Sequence, residues 1–90
     1  MALVRFAGQL RKLVNGNVEL NFTASNISEC IKNLDGQFPG IKESLCDNNG
    51  ELLESINVYV NGDNVRYLNG LTTTLKEEDE VDIMSAFAAG

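Results

Sequence analysis

The residues that could do chemistry gather at the end of this chain. The run Ser85-Ala86-Phe87-Ala88-Ala89-Gly90 carries no charge and no turn-forming Asn or Asp, and it finishes in a glycine whose carboxylate is the terminus. A small domain normally ends in a polar, frayed tail. A tail of small side chains ending in Gly is instead suited to insertion into something narrow. Few other groups compete with it. The absence of histidine removes Ser-His and Cys-His pairs, imidazole metal ligands and imidazole acid–base groups. Cys30 and Cys46, sixteen positions apart, make neither a zinc site nor a disulfide framework. No metal site is expected.

Each remaining candidate has a sharp and a plain reading. Phe87 either anchors the tail on a partner, as aromatics do at interface centres, or tucks against its own sheet. Cys30 reads as a small apolar residue on a buried helix face. Cys46 precedes a polar loop and could be exposed. A redox or sulfur-relay role for it lacks an adjacent basic residue to lower its pKa. A Cys30–Cys46 bridge stays open, although reduced thiols in a cytoplasmic protein are the default. Asp79, Glu80 and Asp82 either meet a basic patch on a partner or form a solvated surface. Arg66, beside a short edge strand, is a partner contact or an edge protector. Lys12, Lys32, Lys42 and Lys76 could accept isopeptide bonds, but no local signal marks any of them.

Ninety residues build one domain with one core, too few to enclose a large substrate pocket as well. An independent enzyme is therefore not expected. The apolar fraction of 43% is that of a globular chain. A net charge of −6 disfavours nucleic acid and anionic membrane surfaces, both of which need clustered Lys and Arg. It favours steering towards a basic patch on a protein. No segment reaches the length of a membrane span, and the N-terminal residues lack the pattern of a signal peptide.

The elements that would position the tail follow from periodicity. Leu3-Val4-Arg5-Phe6-Ala7 reads as a first strand. Asn15-Gly16 is a turn, and Val18, Leu20 and Phe22 alternate on one face of a second, antiparallel strand. Residues 9–14 either extend the hairpin arms or form a loose loop. Ser25 or Asn26 starts a helix, with Glu29 placed for a capping box. Ile27, Cys30, Ile31, Leu34 and Phe38 recur at helical spacing, which predicts a helix from residue 27 to 36 or 37. One more helical turn is expected over residues 41–45, then a loop over 47–51. Ile56, Val58 and Val60 form the inward face of a third strand, and Asn61-Gly62 turns the chain. Val65-Arg66-Tyr67-Leu68 reads as a short edge strand. The charged turn at residues 76–80 leads into a final strand, Glu80-Val81-Asp82-Ile83-Met84-Ser85. A two-layer α+β domain results if this last strand pairs centrally, beside the first.

In this order the C-terminal third is recognisable. Val60-Asn61-Gly62, Val65-Arg66, Leu68, Gly70-Leu71, Thr74-Leu75, the acidic turn, Val81-Asp82-Ile83 and the Ala-Gly end resemble the closing pattern of the MoaD/ThiS family of ubiquitin-like sulfur carriers. The first two thirds match mainly in element order. The chain length is closer to molybdopterin-synthase small subunits or CysO-type cysteine-biosynthesis carriers than to the shorter thiamine carriers. The resemblance implies a β-grasp fold, a mixed sheet of four to five strands with one main helix across one face. It implies a body over residues 1–85 and a flexible tail over 86–90.

It also implies a chemistry. A ubiquitin-activating-type adenylyltransferase would use ATP to adenylate the Gly90 carboxylate, and a sulfur donor would replace the adenylate to leave a thiocarboxylate. A sulfur-accepting synthase in cofactor or cysteine biosynthesis would then take the sulfur. Ala88, Ala89 and Gly90 would thread the partner's channel with Phe87 as a further tail contact, and Arg66, Asp79, Glu80 and Asp82 are the candidate partner contacts of the body. The carrier would bind no cofactor and be monomeric when free. Two positions depart from the pattern. Ala89 stands where the family has glycine, adding a methyl that disfavours left-handed backbone and widens the tail. Ser85 stands where proline is frequent, a change that only loosens the strand exit. A non-catalytic binding module that docks its tail on an enzyme, and a modifier joined to lysines, are the alternatives.

Overall fold

The computed structural model describes residues 2–16 and 19–85. Two alternating apolar stretches set its centre. In β1 (Ala2–Phe6), Ala2, Val4 and Phe6 are buried while Leu3 and Arg5 are not. In β5 (Glu80–Ser85), Val81 and Ile83 are buried between the more exposed Glu80, Asp82 and Met84. The two run parallel, with Val4 beside Val81 and Phe6 beside Ile83. β2 (Glu19–Phe22) pairs antiparallel with β1, so Leu20 and Phe22 share the inner face. β3 (Ile56–Val60) pairs antiparallel with the other side of β5 and buries Ile56, Val58 and Val60. The two-residue β4 (Asp63–Asn64) closes that edge. The sheet order β2-β1-β5-β3-β4 puts the last strand at the centre beside the first, as the pattern predicts.

Helix α1 (Ile27–Gln37) crosses the inner face. Its stripe of Ile27, Cys30, Ile31 and Leu34 is almost wholly buried, and Phe38 continues it. The Asn26 side chain accepts a hydrogen bond from the Glu29 N–H at 2.8 Å, satisfying one of the unpaired first-turn donors. Ser25 Oγ donates to Glu29 Oε2 at 2.8 Å, which fixes the acid of that first turn. The helix stops at Pro39-Gly40. Gly40 takes φ 99°, a conformation a side chain would strain, and the Asp35 carboxylate accepts from the N–H groups of Gly40 and Lys42. That bend launches α2 (Ile41–Leu45), whose Ile41 and Leu45 complete the core.

The structure corrects two expectations. Residues 9–14 are neither hairpin arms nor loose loop, because Gly8–Val14 is a 3-10 helix. Leu10, Leu13 and Val14 recur at helical spacing, Val14 is completely buried, and both leucines pack on the core. Residues 65–68 are not an edge strand. Pairing ends at Asn64, whose side chain accepts from the Arg66 N–H and turns Val65–Tyr67 into a 3-10 helix with Val65 inward. A second 3-10 turn, Gly70–Thr72, follows. The first strand lies one residue earlier than expected, and Val18 lies outside the described residues.

Candidate functional site

The site is the end of β5 and what surrounds it. A central strand is the most firmly held element of a sheet, since both its edges are hydrogen-bonded. β5 has β1 on one side and β3 on the other, and its last residue, Ser85, stands opposite Ile56. The Ala7 N–H donates to the Ile83 carbonyl at 3.1 Å, so β1 supports β5 almost to its end. The root of the tail is therefore fixed. Phe87, Ala88, Ala89 and Gly90, and the tail expected over residues 86–90, lie outside the described residues.

The acids expected to face a partner already have partners within the chain. Arg5 extends over the outer face of the sheet. Its Nε–H donates to Asp82 Oδ1 at 2.8 Å, and Nη2 donates to Asp82 Oδ2 at 3.2 Å and lies 2.9 Å from Glu80 Oε1. Hydrogen bonding to Asp82 and the charge of that carboxylate raise the Arg5 pKa further above its ordinary value. Asp79 is a turn cap. Its Oδ2 accepts from the Lys76 N–H at 2.8 Å and its Oδ1 from the Asn61 side-chain amide at 3.0 Å. Those two donors, the backbone one first, hold its carboxyl below the usual range. Asn61 also accepts from the Glu80 N–H at 2.9 Å, tying the β3–β4 turn to the start of β5.

Arg66 is likewise occupied. Its Nη1 donates to the Ile56 carbonyl and to Asn57 Oδ1, both at 2.8 Å, and its Nη2 donates to the Leu53 carbonyl at 2.7 Å. The guanidinium pins the 65–67 turn onto the loop entering β3. Neither reading from the sequence anticipates this internal clamp.

Cys30 and Cys46 are both free and both buried. Burial pushes the Cys30 thiol up to about 11. Cys46 is 7% exposed, because it pairs with Leu52 as α2 ends. Burial raises its pKa as well, against the opposing charge of Lys42. An accessible thiolate relay does not fit either position. Among the described residues, no group of three potential ligands is placed to hold a metal, and no helix is long and apolar enough to cross a membrane.

Two features go beyond what the sequence predicts. Arg5 gave no local signal, because its partners come from a strand at the other end of the chain. Tyr67 is 88% exposed and Leu68 45%, the large apolar side chains most open to solvent among the described residues. Their signal was the placement of Tyr67-Leu68 between two Asn-Gly turns, Asn61-Gly62 and Asn69-Gly70.

The chain matches the model of the ThiS family over residues 4–90. It is 32% identical over 83 residues to the sulfur carrier protein CysO of Mycobacterium tuberculosis, covering 90% of this chain and 89% of that protein. It is also similar to a chain in the crystal structure of the BexX/CysO complex of Amycolatopsis orientalis, with a TM-score of 0.91, 30% identity and all of both chains covered. The small archaeal modifier protein 1 of Methanosarcina acetivorans superimposes with a TM-score of 0.85 at 29% identity, over 99% of this chain and 95% of that one. The sheet and helix described above are thus a β-grasp, ubiquitin-like fold.

Proposed function

Because the chain belongs to the ThiS family, we propose that it is a sulfur carrier for cysteine biosynthesis, a co-substrate whose chemistry takes place at the Gly90 carboxylate. The observation that carries this reading is the extent of the family match, which runs from the first strand through residue 90 and so includes the tail as well as the body. The fold supports it mechanically. A fixed root at Ser85 lets a partner locate the tail by gripping the body.

A carboxylate is a poor acyl donor until it becomes a mixed anhydride. A ubiquitin-activating-type adenylyltransferase would bring ATP, and attack of the Gly90 carboxylate on its α-phosphorus would expel pyrophosphate. A sulfur nucleophile at the oxidation level of sulfide would then displace AMP and leave a thiocarboxylate. A sulfur-accepting synthase would take the sulfur from there. All acid–base groups for these steps belong to the partners, in keeping with a chain that has no histidine. The residues of this chain contribute access. Glycine has no side chain to obstruct attack, and Ala88 and Ala89 keep the approach slender.

Incubation with ATP, a sulfide source and an adenylating enzyme, followed by intact mass measurement, tests the reading. The expected product has one oxygen replaced by sulfur and is lost on deletion of Ala89 and Gly90. If the native chain stays unchanged while Ala89→Gly converts readily, the native chain is not a working carrier.

Similarity to a small archaeal modifier protein favours one second reading, in which a lysine amine attacks the same acyl adenylate. It would appear as adducts of higher mass joined through an isopeptide bond.

A further inference from the structure

A folded chain hides its large apolar side chains unless something else covers them. Here Tyr67 is 88% exposed and Leu68 45%, side by side. Mobility is not the reason, because the segment is held at several points. Val65 is fully buried beneath it, and Asn64 caps its first turn. The Arg66 guanidinium is anchored to Leu53, Ile56 and Asn57. On its far side the Asn69 N–H donates to Thr73 Oγ1 at 3.1 Å. The aromatic ring is presented, at little ordering cost, in the way interface anchors are.

The surroundings define a surface. Next to the pair is an open depression of about 430 Å³ lined by Glu51, Leu52, Arg66, Asn69, Leu71 and Thr72. Leu52 and Leu71 are partly buried and give it an apolar floor. Exposed Glu51 and Glu54 stand along the loop that Arg66 grips. Tyr67, Leu68 and the depression thus form an apolar patch bordered by Glu51 and by the Arg66 guanidinium, with the exposed Glu54 further along the same loop. Ile56 fixes its position relative to Ser85, the last residue of β5. Ile56 pairs with Ser85 on one side, and its carbonyl accepts from Arg66 on the other. One strand spacing, about 5 Å, separates Ser85 from Ile56, and the Arg66 side chain reaches Ile56 from the turn that presents Tyr67.

We propose that the Tyr67–Leu68 patch is the body-docking surface for the enzyme that adenylates Gly90, which would meet it with an apolar pocket rimmed by Lys or Arg. This rests on the carrier reading. The chain's net charge of −6 selects a basic partner and opposes a second copy. The adenylating enzyme is the occupant because it acts before the tail carries any distinguishing group, so it must recognise the body. A sulfur acceptor has the thiocarboxylate itself to recognise.

ATP–pyrophosphate exchange by a ubiquitin-activating-type enzyme, titrated with the full-length chain, tests the docking. Tyr67→Ala should raise KM for the carrier about tenfold with kcat unchanged, Leu68→Ser should raise it less, and Tyr67→Phe should stay close to wild type. Added salt should raise the wild-type KM, and Glu51→Gln with Glu54→Gln should weaken that dependence. An unchanged KM for Tyr67→Ala overturns the docking while leaving the carrier reading intact. Normal adenylation of Tyr67→Ala with slowed sulfur delivery assigns the patch to the acceptor and overturns it too. If the wild-type chain supports no exchange, the carrier reading fails and the docking falls with it.

Discussion

Arg5 and Asp82 join the first and last strands by a two-pronged ion pair, Nε to Oδ1 at 2.8 Å and Nη2 to Oδ2 at 3.2 Å. In register, Arg5 lies between Glu19 on β2 and Asp82 on β5, and it also reaches Glu80. One cation therefore separates three acids on the outer face. Arg5→Gln should lower the melting temperature by a few degrees at low salt, because the acids are left facing one another. Screening shortens to about 3 Å near 1 M salt, so the deficit should shrink there. Equal deficits in thermal melts at the two ionic strengths would show that the charge plays no part.

At the start of α1, Asn26 is the sole side-chain cap seen for the main helix, accepting from Glu29 N–H at 2.8 Å. Asn26→Ala should cost about 1 kcal/mol. Asn26→Ser should recover most of it, since a hydroxyl can accept the same bond. Urea denaturation of the three proteins would measure this, and an Ala variant as stable as wild type would refute the capping role.

Leu34 is fully buried at the centre of the helix stripe. Leu34→Ala removes packing against the sheet and leaves a cavity, so it should cost about 3 kcal/mol. A loss under about 1 kcal/mol would mean that α1 is less tightly seated than its burial indicates.

How much could be read in advance varied with how locally each feature is encoded. Helix α1 was legible because Ile27, Cys30, Ile31, Leu34 and Phe38 keep one period over three turns and a cap precedes them. β3 and β5 were legible from strict alternation. The 3-10 helix at Gly8–Val14 was not, since Leu10, Leu13 and Val14 mark barely one turn and a hairpin arm could carry the same residues. Val65 and Tyr67 imitate strand alternation, yet Asn64 just before them caps a 3-10 turn that takes the chain out of the sheet. The ion pair of Arg5 with Asp82 joins residues 77 positions apart, so it exists only once β1 and β5 are parallel neighbours. The tail expected over residues 86–90 lies outside the described residues, whereas the apolar surface at Tyr67 and Leu68 emerged only with the fold.

Asp79 gives a pH signature. Bonds from the Lys76 N–H and the Asn61 amide depress its folded pKa below the ordinary 3.8. A depressed carboxylate stabilises the fold in full above the unfolded value, and the contribution disappears as pH falls through the lower folded value. Asp79→Ala should therefore be less stable than wild type at neutral pH, and the gap should close in strong acid. Melting curves across pH 2 to 7 are the check, with a constant gap the contrary result.

The thiols give the opposite signature at alkaline pH. Burial raises the Cys30 pKa from 9.0 to about 11, so the unfolded chain ionises first. The native preference for the neutral thiol is complete below 9 and is lost as pH rises towards 11. Two pKa units correspond to about 2–3 kcal/mol. Wild type should lose stability between pH 9 and 11 more steeply than Cys30→Val. At pH 8, a thiol reagent should label Cys30 only as fast as the chain unfolds, and Cys46, at 7% exposure, somewhat sooner. Parallel alkaline profiles for the two proteins would mean that burial of Cys30 does not control its ionisation. Rapid labelling of native Cys46 would restore the thiol chemistry that its buried position argues against.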